Sequence, residues 1–170
     1  MPATYVNIAS QTLGSSAASV TFSGIPNTYT DLVIRTSIRT ATAGLSTEIT
    51  FNGDTGSNYS DTALYNASGT ATSNRRSNAV RILAIGMDNP TTTANTFSSS
   101  EIYIPNYLVS QNKPVSITAN PEVNANFATL TYVGAGLWRN TAAITSVTLT
   151  GGGGSYAAGS TFYLYGIKNS

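Results

Sequence analysis

The chain contains no histidine and no cysteine. That leaves seven carboxylates, two lysines and the hydroxyl side chains as groups for acid–base or nucleophilic chemistry. The commonest general base, the Ser–His nucleophile pair and imidazole or thiolate metal ligands are all missing. What remains is a carboxylate pair of the kind glycosidases use. The candidates are Asp31, Glu48, Asp54, Asp61, Asp88, Glu101 and Glu122. Asp31 opens an apolar run and Asp88 closes one, positions where Asp commonly makes a turn hydrogen bond. Glu48 and Glu101 alternate with apolar residues and so read as outward. No convincing pair is left, and the chain reads as a protein that is not an enzyme.

Two segments mimic ligand loops. Asn52-Gly53-Asp54-Thr55-Gly56-Ser57-Asn58-Tyr59-Ser60-Asp61 spaces oxygen side chains two apart, as a calcium loop does. The flanking helices and the Glu at the twelfth position of an EF-hand are absent. A hairpin turn accounts for the same residues, with Asn and Asp bonding their own backbone and glycine taking positive φ. Gly151-Gly152-Gly153-Gly154 lacks the following helix or lysine of a phosphate cradle and reads as a flexible loop. No metal and no other cofactor is expected.

The partner-facing candidates are aromatic and basic. Arg75, Arg76 and Arg81 place three of the eight basic residues close together. They suit either a solvated loop or an anionic patch on a neighbouring subunit. Ten tyrosines stand against one tryptophan. Tyrosine is favoured at interfaces because its ring contributes apolar area while its hydroxyl stays wet. Tyr59, Tyr65, Tyr103 and Tyr107, with Arg75 and Arg76, are therefore the candidate contacts. Trp138 would fill core or interface volume.

The elements that must position these residues are short strands. Candidates are Thr4–Ile8, Ala18–Phe22, Asp31–Arg39, Thr47–Phe51, Ala79–Met87, Ser100–Ile104, Pro114–Ala119, Ala128–Gly134, Ala143–Thr150 and Ser160–Ile167. Between them lie Gly24-Ile25-Pro26-Asn27, Asn52-Gly53-Asp54, Asp88-Asn89-Pro90 and Asn120-Pro121. No stretch carries a helical period. The fold class this predicts is all-β, an antiparallel sandwich or barrel of one domain spanning 1–170. In Asp31–Arg39, Leu32, Ile34, Thr36 and Ile38 share one face, and Val33, Arg35, Ser37 and Arg39 the other. Thr47–Phe51 puts Glu48 outward, so an Arg–Glu pair follows if these two strands are neighbours. Ala79–Met87 is apolar on both faces, as for a strand covered on both sides. Asp54–Asn78 and Thr91–Phe97 read as polar loops, and loops this long are usually functional or ordered by a partner.

Composition narrows the class of partner. Only 9% of residues are charged, against about 25% in a typical domain, and the net charge is +1. A phosphate-neutralising face is not available, so nucleic acid is not expected as a partner. No run approaches the ~20 apolar residues of a membrane-spanning helix. Met1-Pro2-Ala3-Thr4-Tyr5 has no basic region followed by an apolar run. A low-charge Thr/Ser/Asn surface without an export signal is the combination expected of a virion protein made in a host cytoplasm.

The chain also resembles a family of small virion proteins of tailed bacteriophages. The resemblance rests on Phe22-Ser23-Gly24-Ile25-Pro26-Asn27-Thr28-Tyr29-Thr30-Asp31-Leu32, Phe51-Asn52-Gly53-Asp54-Thr55-Gly56-Ser57-Asn58-Tyr59-Ser60, Ile102-Tyr103-Ile104-Pro105-Asn106-Tyr107, Gly136-Leu137-Trp138-Arg139-Asn140-Thr141-Ala142-Ala143-Ile144-Thr145 and Leu164-Tyr165-Gly166-Ile167-Lys168. These segments run in order along nearly the whole chain, and Thr62–Asn78 matches least. The resemblance implies a jelly-roll-like β-sandwich with a structural role, favours three-fold assembly, and carries over no catalytic residue. The function expected is a capsid cement or decoration protein, a homotrimer on the outer surface of the major capsid protein shell. The alternative is a tail-fibre or tail-tip module that binds a host glycan, with Tyr59 and Tyr65 stacking on sugar rings.

Overall fold

Twelve strands and no helix occur in the residues that the computed structural model describes, 4–42, 44, 46–67, 69–122 and 131–168. In chain order they are β1 (Tyr5–Thr12), β2 (Ser19–Ser23), β3 (Asp31–Ile38), β4 (Ser46–Phe51), β5 (Tyr59–Ala67) and β6 (Thr70–Ala79). There follow β7 (Ile82–Ile85), β8 (Ser98–Ile104), β9 (Lys113–Asn120), β10 (Tyr132–Trp138), β11 (Ser146–Gly152) and β12 (Thr161–Ile167). An eight-stranded sheet runs β1-β12-β3-β8-β9-β10-β5-β6, and a four-stranded sheet runs β2-β11-β4-β7. Every strand pair is antiparallel.

Eight of these strands make a jelly roll. β1, β2, β3, β4, β7, β8, β11 and β12 form the facing half-sheets β1-β12-β3-β8 and β2-β11-β4-β7, the strand order of two nested Greek keys. The expected all-β, jelly-roll-like sandwich is thus the observed one. Two insertions then widen one sheet. β5–β6 leaves between β4 and β7, and β9–β10 between β8 and β11; together they form a wing, β9-β10-β5-β6, beyond β8.

Alternation produces the core. In β3, Leu32, Ile34, Thr36 and Ile38 are buried, and β9 alternates buried and exposed residues throughout. Ile34, Ile49, Leu149, Phe162 and Leu164 lose all solvent contact, each a gain of ~1.5–3 kcal/mol.

Several sequence expectations need correction. Asp54–Asn78 is no loop: most of it is the β5–β6 hairpin. Its inward positions are Tyr59, Asp61, Ala63 and Tyr65, so the period of two is carried by phenols and a carboxylate, and an aliphatic pattern does not reveal it. Ala79–Met87 is not one doubly covered strand. Asn78 turns with φ 52°, Val80 is exposed, and only Ile82–Ile85 forms a strand, with Ile82 and Ala84 buried. The strand expected at Ala128–Gly134 is observed as β10, and its first three positions lie outside the described residues. Glycine hid the rest of β10: a Cβ on Gly136 would meet Ile82 at 2.8 Å. The Gly151–Gly154 run is no slack loop either. β11 continues through Gly152, where a Cβ would collide with Ser46 Oγ, and the chain turns at Gly153 with φ 81°.

Finally, β3 and β4 lie in different sheets, so the Arg–Glu pair expected between them does not form. Arg35 pairs instead with Glu101 of β8, and Glu48 with Arg81.

Candidate binding face

Most of the charged groups are consumed inside the fold. Asp54 Oδ2 accepts the Trp138 indole N–H at 2.7 Å and Asn58 Nδ2 at 2.9 Å, and Oδ1 accepts the Gly56 amide at 2.8 Å. These donors, the indole foremost, hold its carboxyl below the usual range. The carboxylate thus serves as a turn anchor, with Asn52 (φ 52°) and Gly53 (φ 68°) forming the two-residue turn closed by the Asp54 amide on Phe51 O. That turn links strands of different sheets and so closes no hairpin. Among the described residues no group of three or more His, Cys, Asp or Glu side chains gathers.

The basic cluster divides in the same way. Arg76 bonds both carboxylate oxygens of Asp61 and also the Arg81 carbonyl. Arg81 pairs with Glu48. Arg75 makes no ion pair among the described residues and stays exposed on the outer face of β6. Asp61 Oδ2 also accepts the Leu83 amide at 3.0 Å, and the Tyr132 hydroxyl donates to the Leu83 carbonyl at 2.7 Å. The wing thus satisfies the edge of β7, which would otherwise leave polar backbone groups unpaired.

Of the four tyrosines singled out from sequence, two are not surface residues. Tyr59 is fully buried, stacked near Trp138, and its hydroxyl donates to Asp54 O and accepts from the Phe51 amide. Burial pushes its phenol up to about 12. Tyr107 is equally buried, its hydroxyl on Pro26 O. Tyr65 is half-buried and lines an apolar hollow of about 340 Å³ with Leu64, Ala71 and Val133. Tyr103 is half-buried on the outer face of β8, its hydroxyl donating to Asp31 Oδ2 at 3.0 Å. Burial, then that bond, pushes its phenol up. The loop 91–97, expected to wait for a partner, is held by Arg39, whose Nη1 donates to Thr93 O at 2.9 Å and Thr96 O at 3.0 Å.

The structure gathers a different set of side chains on the outer face of β1-β12-β3-β8. Cross-strand register sets Tyr165 beside Val33 and Val33 beside Tyr103; Tyr163 sits beside Arg35 and Arg35 beside Glu101. Tyr5 leans across β12, edge-on to Tyr165 with centroids 6.3 Å apart, its ring centroid 5.5 Å from the Arg35 guanidinium carbon. Tyr163 and Tyr165 lie nearly parallel at 6.3 Å. This cover explains why Val33, on the outer face, is only 1% exposed. Tyr5 and Tyr163 remain 47% and 36% exposed. Next to them Arg35, Glu101, Ser99, Thr118 and Asn120 line a polar cleft of about 250 Å³. The alternation of Tyr163 and Tyr165 with Phe162 and Leu164 is legible in sequence; the neighbouring strands are not.

Compared with known proteins, the chain matches no protein-family model and no curated protein.

Proposed function

We propose that this chain is a bacteriophage structural protein, a cement or decoration protein bound to the outer surface of the major capsid shell. The observation that carries the reading is the free edge of the wing. β6 is ten residues long, ends the eight-stranded sheet, and pairs on one side only among the described residues. Seven successive register pairs with β5, from Asp61↔Arg76 to Ala67↔Thr70, run without interruption. Such an edge is a template for another chain's strand. β1, at the opposite edge, is broken by a bulge between Asn7 and Ala9 and suits this role less. The resemblance to phage virion proteins supports the same reading.

A homotrimer belongs to this proposal. A head-to-tail contact between unlike surfaces of the copies forms a three-membered ring where the rotation closes, and the resemblance to phage virion proteins favours that arrangement. With so few charges, attachment rests on backbone pairing and apolar area such as Leu64 and Val133, both more than half exposed. Exposed ion pairs contribute only about 0–1 kcal/mol and weaken with salt.

Purified particles carrying this protein test the reading. Hundreds of copies per particle, attachment that survives about 1 M salt, and cross-links from residues 70–79 to the shell protein are expected. A few copies per particle, or release by moderate salt, would overturn it. Excising Thr62–Asn78 is not a clean test of attachment, because it would strip β10 of most of its partner β5 and Asp61 of Arg76.

A further inference from the structure

We propose that the outer face of β1-β12-β3-β8 is a carbohydrate-binding surface, with Tyr5, Tyr163 and Tyr165 as its aromatic platform and the Arg35–Glu101 cleft as its polar subsite. The reading does not depend on where in a particle the chain sits. It moves any sugar contact away from Tyr59, which is buried, to residues on a different part of the sheet.

Three features select the ligand class. First, a pyranose offers apolar C–H patches and a rim of hydroxyls, and the face offers the same two chemistries side by side. Exposed phenol rings supply amphipathic area. Within one or two strands of them lies a cleft of about 250 Å³ lined by amide, hydroxyl and ion-pair groups. Second, the cleft is electrically balanced. Arg35 Nε donates to Glu101 Oε2 at 2.9 Å, and that bond uses one of the five guanidinium N–H groups. The four terminal N–H groups bond no described residue, while the pair carries no net charge to attract an anion. A fork of donors beside acceptors of Glu101 and Asn120 matches adjacent hydroxyls of a neutral sugar. Third, the face is braced. Tyr103 is tied to Asp31, whose other carboxylate oxygen accepts the Asn106 amide at 2.8 Å. Val33 fills the space beneath the rings. The platform is built on strand positions and loses little freedom when a ligand docks.

A second copy of the chain and a polyanion are the competing occupants, and one experiment separates them. The full chain is applied to an array of neutral bacterial-surface and hexose or N-acetylhexosamine oligosaccharides, with heparin as the polyanion. Hits are titrated by calorimetry, and oligomeric state is measured by sedimentation. Binding to neutral glycans is expected, weakened about tenfold by Tyr163→Ala and by Arg35→Gln. Tyr163→Phe should retain binding, because the ring is kept, and Leu64→Ala on the wing should leave it unchanged. Tyr163→Ala also removes part of the cover over Val33, so binding is compared at a temperature where circular dichroism shows each variant folded. No binding to any neutral glycan would overturn the proposal, as would binding to heparin alone. So would neutral-glycan binding that Tyr163→Ala leaves intact, or a change of oligomeric state on Tyr163→Ala that marks the face as a self-interface. Copy number and salt resistance on the particle read the cement role separately, so either reading can fail alone.

Discussion

The jelly-roll half of the molecule buries Ile34, Ile49, Leu149 and Leu164 completely, whereas the wing reaches the same burial with Tyr59, Tyr132, Trp138 and Lys113. Aliphatic burial is non-directional and needs only shape. Burying a phenol, an indole or an ammonium requires a partner for each polar tip. The wing supplies them one by one. Tyr59 bonds Asp54 O, Tyr132 bonds Leu83 O, and Trp138 bonds Asp54 Oδ2. Lys113 Nζ donates to the carbonyls of Val109 at 2.7 Å, Gln111 at 2.6 Å and Thr141 at 3.3 Å. Burial holds its ammonium below the usual lysine value. The wing thus adds a set of specific bonds to its own aliphatic burial at Val115 and Ile117, and it is the region that ends in an open edge.

The largest effect should come from the jelly roll. Ile34→Ala should cost ~2–5 kcal/mol in urea unfolding, while Leu64→Ala on the exposed wing should stay within ~0.5 kcal/mol. Similar costs at the two sites would erase the contrast.

Asp61→Ala should follow, at ~2–3 kcal/mol, since it strands the Arg76 guanidinium and the Leu83 amide together. The figure lies below that for a fully buried pair because the Arg76 side chain is 31% exposed. Hydrogen exchange should speed up in β5, β6 and β7 and stay slow in β3 and β12. Uniform acceleration would mean the wing is not separately held.

Alkaline titration sharpens the same point. Burial pushes the Tyr59 and Tyr132 phenols up to about 12 in the folded chain, from an ordinary value of 10. The folded state then keeps protons that the unfolded chain releases. Stability is therefore full below about pH 10 and falls as pH rises towards about 12, by about 2 kcal/mol or less per tyrosine. Tyr132→Phe should flatten that slope while losing the Leu83 bond at neutral pH. A slope unchanged by Tyr132→Phe would contradict the assignment.

The smallest effect concerns Asp88, at the end of the β7 connection. It is 1% exposed, and neither carboxylate oxygen has a partner at good hydrogen-bond geometry, although Thr96 and the Arg39 guanidinium lie near enough to act against the effect of burial. Burial pushes its carboxyl up. A raised folded value means the group favours folding at low pH and opposes it once ionised. Asp88→Asn should thus stabilise the chain at neutral pH by ~1 kcal/mol, seen as a rise of about 2–4 °C in melting temperature. A fall in melting temperature would show that the charge is compensated.

The sequence alone determined the strand-rich architecture, the inward sets of β3 and β4, and the Asn52-Gly53 turn. Each is written in local spacing: a period of two separates two faces, and Asn-Gly tolerates positive φ. Only the tertiary structure decided which strands are neighbours, and with them every pairing that crosses the chain. Arg35 met Glu101 instead of Glu48 because β3 lies beside β8 and faces β4 across the core. Tyr59 and Tyr107 went inside, and Tyr5, Tyr163 and Tyr165 stayed out. A phenol suits either environment so long as its hydroxyl finds an acceptor, and that acceptor belongs to a distant segment. Whether a tyrosine forms core or binding surface is therefore settled by the fold that supplies, or withholds, the partner for its oxygen.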